Sequence, residues 1–184
     1  YYSYSNEMLV RFRTGSSVYY SGFTAKYTAE PECGTEDKPR VLSQASEIER
    51  VFYDPAGPNA AYENHRDCFW LITAPKEKDV KLEFDRFELE HFWDRLHVHD
   101  GNSTNARSLT RDTGLTGNVG GTFYSYSNQM LVRLTTDGSV RWAGFTAHYM
   151  SVEECGTAAK PRRLTAGGAN ERTFYDPAGP FNNY

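Results

Sequence analysis

Two histidines in one short segment have side chains of a type that can bind a metal ion. His97 and His99 alternate with the apolar residues Leu96 and Val98, and alternate residues of a β-strand share one face. Two imidazoles on one face can share a zinc ion, although a catalytic zinc would need a third ligand and an open position. The interpretation that we favour is a solvent-facing pair on the side of the strand opposite the core.

Other catalytic patterns are missing from the sequence. It contains no Gly-x-Ser-x-Gly, no His-Glu-x-x-His and no phosphate-binding loop. The net charge of −4 and the pI near 5.7 disfavour a general nucleic-acid binder and a polybasic membrane anchor. We therefore expect a non-catalytic protein that neither binds nucleic acid nor inserts into a membrane.

An internal repeat organises the chain. Residues 1–62 align without a gap on residues 123–184, at an offset of 122, with 35 identities in 62 positions. A period of 122 residues is the length of a domain and not that of a solenoid repeat. The sequence therefore predicts one complete domain at 31–152, the C-terminal part of a repeat at 1–30 and the N-terminal part of the next repeat at 153–184.

The repeat also accounts for the odd number of cysteines. Cys33 and Cys155 occupy the same position in successive copies, and the equivalent of Cys68 would fall beyond the last residue of the chain. Each copy then has an even pair, which predicts a Cys33–Cys68 disulfide and leaves Cys155 unpaired. The alternative is a pair of buried free thiols. Because disulfides form in oxidising compartments, we expect a secreted protein.

A glycosylation sequon agrees with export. Asn102-Ser103-Thr104 has the pattern of an N-glycosylation acceptor and directly follows the turn signal Asp100-Gly101. We expect Asn102 to carry the glycan.

Alternating patterns predict strands, and no segment shows a helical pattern of useful length. Residues 80–84 alternate between apolar and charged types, and residues 87–89 continue the alternation in the other register. This change predicts a bend or bulge near Asp85-Arg86. Further runs of this kind are separated by turn residues such as Asp79 and Asp137-Gly138. Together they predict an all-β fold, an antiparallel two-sheet β-sandwich.

The order of several motifs resembles that of a CUB domain, an extracellular β-sandwich of the jelly-roll kind. The resemblance covers residues 33–149 as a whole domain, while residues 1–27 and 155–184 match its end and its beginning. The family often has a second disulfide, and this chain has no cysteine at the matching positions. The motifs that support the resemblance are Cys33-Gly34, Tyr53-Asp54-Pro55, the run CFWLITAP at 68–75, Val98-His99-Asp100-Gly101, Ser127-Asn128 and Gly144-Phe145-Thr146-Ala147.

The resemblance implies a calcium site at one end of the sandwich. Calcium takes several hard oxygen ligands, and carboxylates from separate loops supply them only if the fold brings them together. Only three residues separate Glu90 from Asp94, fewer than is usual in the family. The alternative is that these acids lie at turns and strand ends and face water. The residues that match the family's ligands are Tyr62, Glu90, Asp94 and Asp137, with Ser139 close to the last.

The resemblance also implies protein partners. In calcium-binding CUB domains the same acids often accept a Lys or Arg side chain of a partner through a charge-assisted hydrogen bond. The partners that we expect include further copies of this chain. Exposed aromatic and arginine side chains are common interface anchors, although ordinary hairpin packing is the alternative here. The interface candidates in the late hairpin are Tyr19 and Tyr20 and their counterparts Arg141 and Trp142.

These observations predict a secreted, non-catalytic structural or adhesive protein of the extracellular matrix. It would be built of tandem CUB-like repeats, act through protein–protein contacts and assemble into filaments. One alternative is the regulatory or targeting region of a secreted protease, with the catalytic domain outside this chain. Another is a carbohydrate-binding adhesin, because exposed aromatic side chains on a β-sandwich also suit sugars.

Overall fold

Two β-sheets make up the framework of the part of the chain that the structure describes. The computed structural model describes residues 8–18, 20–27, 33–44 and 48–153. These residues contain no helix, and hence no helix that is long and apolar enough to cross a membrane. The strands, in chain order, are β1 Arg40–Ser43, β2 Arg50–Tyr53, β3 Asp67–Thr73, β4 Lys78–Glu88, β5 Arg95–Asp100, β6 Arg107–Ser108, β7 Thr122–Tyr124, β8 Gln129–Thr135 and β9 Gly144–Glu153.

The five-stranded sheet has the order β1-β3-β8-β5-β6, and the four-stranded sheet has the order β2-β9-β4-β7. All neighbouring strands are antiparallel except β1 and β3, which are parallel, with Arg40 opposite Trp70. The predicted all-β sandwich of two sheets is confirmed, and the parallel pairing at this edge is an exception to the predicted antiparallel order. Because β2 lies in the other sheet, the chain changes sheets twice between β1 and β3. When it returns to the first sheet, β3 runs in the same direction as β1.

The bulge predicted near Asp85-Arg86 is confirmed. The register of β4 against β9 shifts between Phe84 and Arg86. Apolar side chains point into the core on both sides of the shift, because the extra residue changes which positions face inward. The turn predicted at Asp79 lies two to three residues earlier, at 76–77. Asp79 is already part of β4.

An aromatic cluster joins the two sheets. Trp70 of β3 is fully buried, and its ring centroid lies 5.7 Å from that of Phe52 in β2 and 5.7 Å from that of Phe145 in β9. Phe52 and Phe145 meet edge to face at 5.5 Å. Such ring pairs contribute about 0.5–1.5 kcal/mol each beyond the burial of their surface. Because β3 belongs to one sheet and β2 and β9 to the other, these contacts hold the sheets against each other.

The predicted Cys33–Cys68 disulfide is confirmed. Cys68 is a fully buried residue of β3. Next to the bridge, Gly34 and Phe69 exchange two backbone hydrogen bonds of 3.1 Å. The bridge joins residues 35 positions apart, and closing a loop of this length stabilises a fold by about 3–4 kcal/mol in the chain-entropy model. Cys155 lies outside the described residues.

The structure supports one sandwich and does not support the two partial domains predicted beside it. Residues 8–18 and 20–27 contain no strand, and their side chains are exposed. Residues 154–184, which are the second half of the second copy of the repeat, lie outside the described residues. The tandem organisation therefore stays a prediction that rests on the repeated sequence.

A buried carboxyl group ties the end of β2 to the start of β9. Asp54 is 3% exposed and accepts hydrogen bonds from the backbone N–H groups of Ala56 and Phe145, each at 3.0 Å. Burial raises the pKa of Asp54 from 3.8 to about 6, although these hydrogen bonds and the charge of Arg86 oppose the rise. Gly144 has a φ of 73°, and a Cβ atom there would collide with Asp54 Oδ2, so only glycine fits.

The raised pKa of Asp54 predicts a pH-dependent stability. The folded protein holds this proton more tightly than the unfolded chain does, so the stabilisation is complete below the ordinary pKa of 3.8 and is lost as the pH rises through about 6. The shift corresponds to about 3 kcal/mol. We expect the free energy of unfolding of the wild type, measured with urea relative to Asp54→Asn, to fall between about pH 4 and pH 7.

The exposed residue Asp37 offers a matched control for this measurement. The difference between the wild type and Asp37→Asn should change little over the same pH range. If the difference between the wild type and Asp54→Asn were equally flat, the assigned role of Asp54 would be wrong.

Candidate functional site

Three carboxyl groups meet at one end of the sandwich. Oxygen atoms of Glu90, Asp94 and Asp137 lie within 4.8 Å of one another, and no other group of three acids, histidines or cysteines does so in the described part of the chain. Glu90 and Asp94 flank the turn between β4 and β5, and Asp137 lies in the loop between β8 and β9. The structure therefore brings together three of the predicted calcium ligands. We call these three residues the acidic cluster.

The side chain of Asp94 connects three separate loops. It is fully buried, and its Oδ2 atom accepts a hydrogen bond from the hydroxyl of Tyr62, which lies between β2 and β3. Its Oδ1 atom accepts the backbone N–H of Asp137 at 2.8 Å. The Tyr62 hydroxyl also accepts the backbone N–H of Glu90 at 2.9 Å. Burial raises the pKa of Tyr62, and the bond to Asp94 raises it further, so the phenol keeps its proton.

Ser139 contacts the acidic cluster through its backbone. Its N–H donates to Asp137 Oδ1 at 2.9 Å, a local bond typical of a turn that begins with aspartate. The backbone carbonyl of Asp137 in turn accepts the N–H of His65 at 2.7 Å. The Ser139 N–H therefore orients the Asp137 side chain in the β8–β9 loop.

The short spacing between Glu90 and Asp94 still allows the acidic cluster to form. The Asp94 N–H donates to the Glu90 carbonyl at 3.3 Å and closes a tight turn. Inside this turn Phe92 has a φ of 72°, in the left-handed region that residues other than glycine rarely occupy. The hydroxyl of Thr116 holds the turn, because it accepts the Phe92 N–H at 2.9 Å and donates to the Glu90 carbonyl at 3.0 Å.

Thr116 is the supporting residue that the sequence did not reveal. It lies 26 positions from Glu90, and no motif marks it. The only sequence signal was the short loop itself, since a turn this tight needs an outside partner for its backbone groups.

Like charges act on Glu90 in particular. Partial burial raises the pKa of Glu90, and the charges of Asp137 and Asp94 and a hydrogen bond with Asp137 raise it further. The Glu90 Oε2 atom is buried and has no hydrogen-bond partner among the described residues. Carboxylates this close repel one another, and a proton or a cation between them relieves the repulsion. The oxygen-only donor set therefore fits a hard cation such as Ca²⁺.

Exposed apolar side chains occur in the loops that hold the acidic cluster. Phe92 and Trp93, in the turn between β4 and β5, are each 67% exposed. Val140 and Trp142, in the loop between β8 and β9, are 53% and 42% exposed. The Trp142 carbonyl accepts the backbone N–H of Tyr62 at 3.2 Å, which places this loop beside the cluster. Contiguous exposed apolar patches mark interaction surfaces, which makes these side chains candidates for one.

The other predicted surface residues are more dispersed. Arg141 is exposed next to Trp142, whereas Tyr20 is exposed in the segment without strands. Tyr19 lies outside the described residues. Asn102 is exposed in the loop between β5 and β6, as an acceptor of a glycan must be.

The histidine pair lies on the five-stranded sheet. The rings of His97 and His99 in β5 are nearly parallel, with centroids 6.2 Å apart. The prediction of a solvent-facing pair is wrong for His99, which is 8% exposed. The loop after β5 covers it, and the carbonyl of Ala106 lies 3.2 Å from His99 Nδ1.

Comparison with known proteins agrees with the fold. The family model described as the CUB domain matches residues 33–149. The chain belongs to the CUB domain family. This domain is a non-catalytic module.

The matched relatives are much longer proteins. The chain is 34% identical over 143 residues to the dorsal-ventral patterning protein tolloid of Drosophila melanogaster, which covers 74% of the chain and 12% of that protein. It is 32% identical over 175 residues to tolloid-like protein 1 of Homo sapiens, which covers 92% of the chain and 15% of that protein. The chain therefore spans only a small part of each relative.

A solved structure supports the fold assignment. The crystal structure of the MASP-1 CUB2 domain bound to Ca²⁺ has a TM-score of 0.50 and 17% sequence identity, and the match covers 60% of this chain and 96% of that one. At this level of identity the similarity concerns the fold alone.

The hydroxyl of Tyr62 should be a measurable source of stability. In Tyr62→Phe, Asp94 Oδ2 and the Glu90 N–H lose their partner, so we expect the free energy of unfolding to fall by about 2 kcal/mol. The matched control is Tyr126→Phe, since the contacts of Tyr126 use its backbone N–H and its ring. Urea unfolding of both variants measures the difference, and equal losses would contradict the role given to Tyr62.

Proposed function

We propose that the chain is a calcium-dependent protein-interaction region of a secreted protein built of tandem CUB domains. The observation that supports this most directly is the convergence of Glu90, Asp94 and Asp137, with Glu90 Oε2 buried and unpaired among the described residues. The Cys33–Cys68 disulfide supports an oxidising, extracellular location. Protein partners, among them further copies of the chain, would bind at this end of the sandwich.

Calcium is the cation that suits this cluster best. Ca²⁺ accepts irregular oxygen coordination, whereas Mg²⁺ requires near-ideal octahedral geometry and keeps several waters. Asp94 is held by two hydrogen bonds, so the ligands at this site cannot all adjust to a strict geometry. With three carboxylates the dissociation constant should be ~10⁻⁴–10⁻³ M, as in other extracellular modules.

A bound cation would connect the acidic cluster to a partner. It would hold Glu90 and Asp137 in place, and their remaining oxygen atoms could accept a charge-assisted hydrogen bond from a Lys or Arg of the partner. The exposed rings of Phe92, Trp93 and Trp142 beside the cluster would cover the apolar part of that partner. This combination of a charged centre and aromatic surroundings is typical of protein interfaces.

The repeated sequence supports the tandem organisation. Leu9 and Tyr27 are 94% and 96% exposed, whereas their counterparts 122 positions later, Leu131 and Tyr149, are 2% and 4% exposed. If residues 1–30 complete another CUB domain, Leu9 and Tyr27 should be buried in the core of that domain, as their counterparts are in this one. The match to tolloid-like protein 1 covers 175 residues and so extends beyond residues 33–149.

Assembly into filaments is the further part of this proposal. Tandem domains that bind other copies of the same chain at one end would form extended assemblies. Electron microscopy of the native protein should show filaments, and dispersed monomers at physiological salt would contradict assembly without affecting the calcium site.

A regulatory or targeting region of a secreted protease is the second candidate. The small share of each relative that the chain covers, 12% and 15%, favours a part of a larger multidomain protein. The full-length sequence decides between the two candidate functions. A protease domain in it would contradict the expectation that the whole protein is non-catalytic.

Calcium should stabilise the domain through the acidic cluster. At about 10 mM CaCl₂ the expected gain is about 1.4–2.7 kcal/mol, measured by urea unfolding, for the affinity range given above. Glu90→Gln and Asp137→Asn should lose this gain. Without calcium both variants should be at least as stable as the wild type, because each removes one of the repelling charges. The gain should also shrink at acidic pH, since the raised pKa of Glu90 makes a proton compete with the ion.

Asp37→Asn is again the matched control and should keep the full calcium response. A response that survives in both Glu90→Gln and Asp137→Asn would place calcium elsewhere. Binding of a partner that chelator does not weaken would discard calcium dependence while leaving the site itself intact.

A further inference from the structure

The last strand of the sandwich extends almost to the next copy of the repeat. β9 ends at Glu153, where it pairs with Lys78 at the start of β4. Cys155 follows two positions later and is the counterpart of Cys33 at the offset of 122. Consecutive Cα atoms are about 3.8 Å apart, so those of Glu153 and Cys155 are separated by at most about 7 Å. Only Glu154 therefore remains as a connection between two copies.

The first cysteine of a copy is held firmly in the fold. Cys33 is bridged to Cys68 of β3, with Cα atoms 5.2 Å apart. The adjacent Gly34 exchanges two backbone hydrogen bonds with Phe69. If Cys155 has the same role in the following copy, it is held against β3 of that copy. The connection between the copies then has no slack, because both of its ends are attached to a sheet and no flexible linker separates them.

The two attachment points lie toward opposite ends of the sandwich. β9 begins opposite Glu88, near the acidic cluster, and ends opposite Lys78 at the far end. Cys33 is bridged to Cys68, the second residue of β3. β3 begins opposite Thr135, the end of β8 from which the loop of the acidic cluster starts. Successive copies would therefore be joined head to tail, each with its acidic cluster pointing in the same direction.

Two turns form a rigid surface beside the end of β9. The turn between β3 and β4 exposes residues 75–77, and the turn between β7 and β8 exposes Tyr126. Asn128 joins the two turns, because its backbone carbonyl accepts the Ala74 N–H at 2.8 Å and its side-chain Nδ2 donates to the Ala74 carbonyl at 3.1 Å. The Oδ1 atom of Asp100 accepts the Tyr126 N–H at 2.9 Å. We call residues 75–77 and Tyr126 the junction surface.

The junction surface has the properties of a protein contact. The guanidinium of the exposed Arg107 lies over the Tyr126 ring, 4.7 Å from its centroid, and both residue types are enriched at interfaces. The block 124–128, which contains this tyrosine, recurs without change at 2–6. The hydrogen bonds listed above hold the two turns in place before any contact forms, which lowers the entropic cost of binding.

We propose that the junction surface of each copy packs against the disulfide end of the following copy and fixes the angle between the two domains. This inference rests on the tandem organisation proposed above and identifies the following copy of the repeat as the partner of this end. A connection of one residue keeps that copy at a high effective concentration, so a small interface stays closed. The following copy lies away from the acidic cluster, so this contact and the calcium-dependent contact can be tested separately.

The test compares backbone hydrogen exchange, measured by mass spectrometry, in the full-length protein and in the 184-residue chain, in which the following copy is incomplete. We expect residues 75–77 to exchange at least about tenfold more slowly in the full-length protein, because the following copy covers them. Inserting eight Gly and Ser residues after Glu154 should remove this protection, since such a linker spans about 15 Å on average. Tyr126→Ser should weaken the protection as well. The matched control is Trp93→Ser, which removes an exposed ring at the other end and should leave the protection unchanged.

Equal exchange at 75–77 in the two proteins would overturn the proposal, and so would protection that survives the insertion. The exposed turn at 111–113 should exchange equally in both proteins, and equal slowing there would show a general effect in place of a contact. A full-length sequence without a complete copy after residue 155 would contradict the tandem organisation itself. Fast exchange at 75–77 in a protein that has such a copy would contradict only the packing and leave the tandem organisation and the calcium site intact.

Discussion

The burial of one carboxylate, that of Asp94, is the constraint on which the functional end of the domain depends. Its two oxygen atoms bind the Tyr62 hydroxyl and the Asp137 N–H, so one side chain fixes three loops. Burying a carboxylate is costly unless hydrogen bonds compensate for the lost water. The fold meets this condition only when all three loops are in place, and the acidic cluster is therefore a product of the complete sandwich.

The same arrangement concentrates negative charge at one place. Glu90 and Asp137 lie beside Asp94 in the acidic cluster, so the three carboxylates repel one another. Stability elsewhere in the fold has to offset this repulsion. The disulfide in the five-stranded sheet and the aromatic contacts of Trp70 across the core supply that stability away from the loops. A domain built in this way can keep an end that is unfavourable by itself. Under the proposed function a bound cation would stabilise that end, and this would connect the architecture to recognition of a partner.

Much of the framework could be predicted, because it follows from local patterns or from the repeat. The bulge near Arg86 follows from a change in alternation, and the Cys33–Cys68 bridge follows from the number of cysteines per copy. The parallel pairing of β1 with β3, the burial of His99 and the contact of Thr116 with the short turn were not predictable. Each depends on which segments, distant in sequence, pack against each other. The alternation of apolar and polar residues within one strand does not contain that information.

The amino-acid sequence by itself determined the class of the fold, the extent of the domain and the chemical types of the candidate ligands. These properties reside in alternation, in repetition at a fixed offset and in the order of motifs along the chain. Only the tertiary structure decided that Glu90 and Asp94 converge with Asp137 despite their short spacing, and that the loop after β5 covers His99. The reason is that ligand geometry and burial come from contacts between loops far apart in sequence, and such contacts exist only once the two sheets have packed.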